Sequence, residues 1–315
     1  MHASLVKTCP HFHLYIFAFD DLSYYTILQL NLKCATVISL KEFEDEELLR
    51  IKPTRTAGEY CWTCTPFTIY YCIQKYNLAS CTYIDADLLF YKDPSVLIEE
   101  MGDHSVLITD HRYTPKYDQT ELYGKYCVQF ITFKNDTNGN RVLNWWRNAC
   151  IEWCYNRAED GKFGDQKYLD NWRTMFEGVH ELIHLGGGIA VWNIQQYDVT
   201  CINGKLFGKV KATGEAFEFI FYHYHQFKYA VHKGCHLGHY DLDIPTTMLV
   251  YAPYVKALQA ADHVLLSINP NHIFHEEIEV PKLKKSIRRK YLYHFKGRFR
   301  NFFKQSYILR NGACN

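Results

Sequence analysis

An α/β fold, with a mixed and mostly parallel sheet flanked by helices, is predicted by three features. Short apolar runs of strand length alternate with longer helical stretches through the first hundred residues. The chain of 315 residues is 48% hydrophobic, enough apolar material for a sizeable core. No internal repeat and no clear linker interrupts it before residue 265, so 1–265 reads as one large domain and 266–315 as a basic extension.

The elements follow in order. Residues 13–19 (HLYIFAF) form an apolar run of strand length stopped by Asp20 and Asp21. Residues 22–32 read as a helix, 35–40 (ATVISL) as a β-branched strand and 41–50 as a charged helix. An apolar helix is expected over 62–76, with Pro66 in its first turn where a missing N–H costs little. Strands are expected at 81–84, 105–109 and 127–133, and a helix at 94–101. Residues 135–139 contain turn-forming types, and a helix follows over 141–156. Its Val142, Trp145, Trp146, Ala149, Trp153 recur at helical spacing. A second helix runs from FGDQ to about residue 175, and 179–185 is a strand ending in three glycines. Residues 199–202 and 209–212 read as a hairpin around Asn203-Gly204, 217–227 as one long aromatic strand, and 246–261 as a late helix.

Charge and cysteine content narrow the function classes. Residues 282–315 hold eleven Lys or Arg and no acid, which leaves the rest with ten more acids than bases. An acidic body is not a nucleic-acid binder. The twelve cysteines are spread irregularly and several sit in apolar runs, the pattern of reduced cytoplasmic thiols rather than a disulfide scaffold. The amino-terminal residues lack a signal-peptide cleavage pattern, and no apolar stretch is long enough to span a membrane.

The strongest chemical signal is YIDADLLF, residues 83–90, in which Asp85 and Asp87 interrupt an apolar segment. Burying a bare carboxylate is expensive, so such an acid needs a partner. Residues i and i+2 of an extended chain share a side, so both acids can converge on one hard cation at the carboxyl end of a strand. A turn or a salt-bridged pair is the plainer alternative.

YIDADLLFYKDP resembles the D-x-D segment of GT-A nucleotide-diphospho-sugar glycosyltransferases. Three further segments resemble that family in order. EYCWT (59–63) precedes the D-x-D strand, FGDQKYL (163–169) is similar to the D-Q segment of glycogenin-like (family 8) enzymes, and HYHQFK (223–228) looks like a degraded H-x-x-G-x-x-K. The resemblance spans residues 10–230 and is strongest to bacterial surface-polysaccharide transferases. It implies a GT-A-like fold and transfer of a sugar from a nucleotide-diphosphate donor, a UDP-sugar first, to a glycan or lipid-linked acceptor. It implies Mn²⁺ or Mg²⁺ held by Asp85, Asp87 and His223 or His225, with Lys228 facing the β-phosphate. Carboxylates with an imidazole favour Mn²⁺. It further places Tyr60, Thr63, Asp85, Gln129 and Gly187 at the donor and Asp165 with Gln166 at the transfer step. Relative to that family, the opening strand and its nucleotide contacts are missing ahead of residue 13, Gln226 replaces a glycine, and the closing Pro-Trp is absent. A sugar nucleotidyltransferase, which would carry a Gly-rich phosphate loop not found here, and a catalytically impaired scaffold are the rival readings.

Each site residue also has a bland reading. Asp165 after Gly164 fits a helix N-cap as well as a sugar-binding acid. Gln129 fits a bonded core amide, the 186–188 glycines a turn, and Trp192 a core aromatic as well as a sugar platform. Cys61 and Cys64, with Cys150 and Cys154, form a Cys₄ zinc site, a redox pair or core packing. In 281–304, Leu283, Ile287, Tyr291, Phe295 and Phe299 recur at i+4 among basic residues. That pattern suits an in-plane helix on the anionic inner face of a membrane, or else a solvated basic tail or an RNA contact.

Overall fold

The computed structural model describes residues 1–230 and 234–272, so the basic segment 281–304 lies outside the described residues. The first half runs α1 (His2–Thr8), β1 (Leu14–Ala18), α2 (Asp21–Gln29), β2 (Ala35–Ser39), α3 (Leu40–Phe43), α4 (Glu46–Ile51), α5 (Ala57–Tyr76), β3 (Ser80–Ile84), β4 (Leu88–Phe90), α6 (Ser95–Glu100) and β5 (Val106–Asp110). Then come α7 (Thr120–Tyr123), β6 (Tyr126–Lys134), α8 (Thr137–Glu152), α9 (Trp172–Met175), β7 (Val179–Glu181) and β8 (Ile189–Ala190). The last part holds β9 (Tyr197–Ile202), β10 (Lys205–Val210), β11 (Ala216–Glu218), β12 (Phe221–His223), β13 (Lys228–Ala230), β14 (Gly234–His236) and α10 (Ile244–Ile268).

The α/β class holds, but the sheets are mixed rather than mostly parallel. The central sheet has the order β3-β6-β5-β7, in which β6 runs antiparallel to both neighbours and only β5-β7 is parallel. A second sheet has the order β4-β12-β8, with β12 antiparallel to β4 and parallel to β8. The pairs β1-β2 (parallel), β11-β10-β9 and β13-β14 (both antiparallel) complete the described ladders. The misreading has a physical cause. Strand β6 is buried on both faces for eight of its nine residues, and a doubly buried strand is apolar throughout whichever way it runs.

Four other expectations are corrected. Helix α5 begins at Ala57, because Thr56 and Glu59 form a capping box; Pro66 therefore sits deep inside the helix, not in its first turn. The charged helix at 41–50 is two short helices, α3 and α4, each with its own cap at Ser39 and Asp45. The turn at 135–139 is the first turn of α8: Asp136 accepts from the Gly139 N–H, and a Cβ on Gly139 would stand 2.1 Å from the Lys134 carbonyl oxygen. The aromatic strand 217–227 breaks at Phe219 and Ile220, where the chain leaves the β10 ladder and joins β4. Apart from the half-buried Glu218, its side chains stay buried from Phe217 to Tyr224, so hydrophobicity hides the change of sheet.

The core lies on both faces of the central sheet. Ile69, Ile73, Ile131, Phe133, Trp146 and Trp172 pack α5 and α8 on one face. Leu5, Leu97, Met101, Phe130 and Phe221 bring α1, α6 and β12 onto the other. Strand β1 pairs with β2 and β3 with β6, and no ladder joins β1 to β3 among the described residues.

Candidate metal centre

Two ladders build the site. Asp85 follows the last residue of β3 and its N–H donates to the Gln129 carbonyl of β6 at 3.1 Å. A two-residue turn then carries the chain into β4. Strand β12 pairs with β4 so that His223 stands opposite Leu88, and the Tyr224 N–H donates to the Asp87 carbonyl at 3.0 Å. These registers place Asp85, Asp87, Gln129 and His223 together. The two acids converge through the turn rather than by simple alternation along one strand.

His223 Nε2 lies 3.1 Å from Asp87 Oδ1 and 3.7 Å from Asp85 Oδ2. One ligand atom from each of the three residues lies within 4.8 Å of the others. On the far side of the ring, His223 Nδ1 donates to Gln129 Oε1 at 2.7 Å. An amide oxygen only accepts, so a hydrogen sits on Nδ1, and Nε2, which faces the carboxylates, is the nitrogen that offers its lone pair once its own proton leaves. Gln129 is fully buried, and its Nε2 is left as a buried donor without a partner. Two carboxylates and an oriented imidazole are a donor set suited to a divalent cation.

The electrostatics agree with the geometry. Burial pushes the Asp85 carboxyl up, against the pull of His223. Burial also pushes on Asp87, but the neighbouring His223 outweighs it and holds that carboxyl below its usual range. Burial alone would lower His223, yet Asp87, then Cys127 and Asp85, raise it well above an ordinary histidine. Without a cation the cluster holds together as a charged pair, and a cation would displace the Nε2 proton.

His225 falls outside the three-residue group. Strand β12 ends at His223, and the His225 ring stands edge-on to Trp192 at 5.3 Å. Burial, then the field of His223, lowers it to about 4. Trp192 touches both imidazoles, since His223 also packs edge-on to it at 5.2 Å, and its Nε1 donates to the His111 carbonyl. Of the two readings of Trp192, core aromatic and sugar platform, the structure shows the first: it is a buried wall behind the histidines.

Asp165 is 3% exposed and is not an N-cap; its Oδ2 has no partner, and burial raises it to about 7. Its charge and that of Asp85 act on each other, and it also raises Cys61. Gln166 instead donates from Nε2 to the Tyr123 carbonyl. Tyr60 donates to Glu44 and Thr63 to the Glu59 carbonyl, which ties both into the helix packing of α5. Gly187 packs against Leu97 and Leu182, where a Cβ would stand within 2.8 Å of both side chains. Gly188, at φ +91°, is the glycine beside the site: a Cβ there would approach Gln129 Nε2 to 3.3 Å. Lys228 is exposed and opens β13, which pairs with β14. The four cysteines do not gather: Cys61 is exposed, whereas Cys64, Cys150 and Cys154 are buried in packing.

Tyr83 was not anticipated. Its hydroxyl donates to Asp85 Oδ1 at 2.9 Å. It stands two residues before Asp85 on the same strand, so the alternation rule alone points to it.

Fold and cluster together define a mixed α/β protein with a carboxylate–imidazole site at a strand end. Comparison with known proteins places it further. No protein-family model matches the chain. The uncharacterized protein YfnD of Bacillus subtilis (strain 168) is 32% identical over 265 residues, covering 81% of this chain and 82% of YfnD. The uncharacterized protein YfnF of the same strain is 33% identical over 219 residues, covering 67% of this chain and 71% of YfnF. The chain belongs to the family that contains YfnD and YfnF.

Proposed function

We propose that the protein is a metal-dependent glycosyltransferase of GT-A type that moves a sugar from a nucleotide-diphosphate donor to a glycan or lipid-linked acceptor. The observation that carries the reading is the convergence of Asp85, Asp87 and His223 within 4.8 Å at the end of β3. The order of sequence segments that resemble GT-A enzymes supports it. Asp85, Asp87 and His223 would hold Mn²⁺, or Mg²⁺, and the cation would supply positive charge where the departing nucleoside diphosphate accumulates negative charge. Gln129 fixes the His223 tautomer, and its unpartnered Nε2 offers a hydrogen bond beside the Gly188 backbone. Asp165 is a buried acid that holds its proton near neutral pH, so it can bond a sugar hydroxyl as donor or acceptor.

A panel of nucleotide sugars assayed for slow hydrolysis with Mn²⁺ tests the reading. UDP-sugar turnover that needs the metal and is lost in Asp87→Ala is expected. Pyrophosphate release from a nucleoside triphosphate that requires a sugar 1-phosphate as acceptor would indicate a nucleotidyltransferase. Absence of any metal-dependent nucleotide binding would indicate a scaffold.

Among the described residues no helix is long and apolar enough to cross a membrane. A cytoplasmic enzyme docked by 281–304 on the inner membrane face suits a lipid-linked acceptor. Anionic liposomes should pellet the full chain but not a chain lacking 281–315; equal pelleting would remove the docking role.

A further inference from the structure

Two touching helices carry apolar side chains that no described residue covers. In α2 only Thr26 is buried, while Leu22, Tyr25 and Leu28, spaced three apart along one side, are 44%, 60% and 44% exposed. In α10 every buried residue lies between Thr246 and Val255. Beyond it stand Val264, Leu265, Leu266 and Ile268, which at steps of about 100° point to all sides of the helix. A helix that is apolar all round is ordinarily buried, yet Val264 is 51% and Leu266 45% exposed. Helix α10 packs against α2, so these side chains belong to one region of the surface.

The same region is poor in acid, although the body as a whole is acidic. Asp20 and Asp21 open α2, and residues 22–41 hold no further acid. Residues 244–272 hold only Asp262, which accepts from the Tyr229 hydroxyl. Past α10 and the three glutamates Glu276, Glu277 and Glu279, the chain enters the basic segment 281–304.

We propose that α2 and the second half of α10 form an apolar wedge that enters the headgroup boundary of an anionic bilayer. This contact, made by the folded body, adds to that of 281–304 and rests on the membrane reading of that segment. A bilayer suits both parts at once: anionic headgroups attract the basic residues, and the acyl boundary takes the apolar side chains. Tyr25 has the amphipathic ring that sits at headgroup level. Packing of 281–304 onto the wedge would instead set a basic segment against the part of an acidic body that offers it little acid to pair with. One weak membrane contact is reversible, and two on one chain reinforce each other.

Flotation of the full chain with vesicles of one part phosphatidylglycerol to two parts phosphatidylcholine is the test. Tyr25→Gln with Leu28→Gln, and Val264→Gln with Leu266→Gln, remove apolar contact without changing charge. Met175→Gln with Ile183→Gln is the control, since both residues are exposed and lie on neither helix. Each wedge pair should weaken vesicle binding about tenfold, and the control pair should leave it unchanged. At about half-molar salt the charge of 281–304 is screened; the parent chain should keep part of its binding there and the wedge variants should lose it. Equal binding by parent and wedge variants, with binding abolished on deleting 281–315, would overturn the wedge and leave the reading of 281–304 intact. No binding by the parent chain would overturn both. A dimer in light scattering that only the wedge variants lose, with vesicle binding unchanged, would give the surface to a second copy instead.

Discussion

Asp87 and His223 meet at 3.1 Å, and this contact governs the single-residue behaviour of the site. Replacing Gln129 with leucine keeps the volume but removes the acceptor for His223 Nδ1. Divalent-metal affinity should then fall 10–100-fold, roughly the cost of losing a ligand's orienting partner, with far-UV circular dichroism unchanged. Unaltered affinity would reduce Gln129 to a core amide. Asp165 makes a pH prediction. Unfolded, an aspartate titrates near 3.9, whereas in the fold burial raises this one to about 7. Between those values the folded state binds the extra proton, so this group's contribution to stability declines as pH rises through that window and is flat above it. Asp165→Asn removes the titration. Its unfolding free energy should gain on the parent chain as pH rises from about 4 to about 7, by an amount on the order of a few kcal/mol, read from melting temperatures across that range. A difference constant across that range would contradict the assignment.

At the scale of elements, the site depends on β12 reaching β4 and β8 in register, and Gly188 adjoins that junction. A Cβ there would stand 2.7 Å from the Thr109 side chain at a φ of +91°. Gly188→Ala should destabilise the chain by about 1–3 kcal/mol in urea unfolding and weaken metal binding with it, because Gln129 is the next neighbour. Gly187→Ala should destabilise through Leu97 and Leu182 while leaving the metal site's affinity intact. The element pattern was legible where local signals suffice. Strands β1, β2, β3 and β6 and the turn at Asn203-Gly204 stand where apolar runs and turn residues put them, although the second hairpin strand is Lys205–Val210 and not 209–212. The D-x-D acids were legible because charge inside an apolar run demands a partner. Strand direction was not, since burial on both faces erases alternation in β6. Nor was the break in the aromatic stretch at Phe219 and Ile220, because the chain changes sheets without becoming less buried. The choice of His223 over His225 needed the β12–β4 register.

For the whole molecule, the cluster joins distant parts of the chain: the β3–β4 turn, β6 and β12. A cation bound there cross-links both sheets, so binding should appear as global stability. At a hundredfold excess over its dissociation constant the ion contributes about 2.7 kcal/mol, a rise of several degrees in melting temperature. A chelator should reverse it. The central claim is that Asp85, Asp87 and His223 hold one divalent cation against a diphosphate. It is tested most directly by electron paramagnetic resonance titration of Mn²⁺ into the chain and into Asp87→Ala, each with and without UDP. One bound Mn²⁺ per chain, tightened by UDP and lost in Asp87→Ala, is the predicted result. Equal Mn²⁺ binding in both proteins, or none in either, would contradict it.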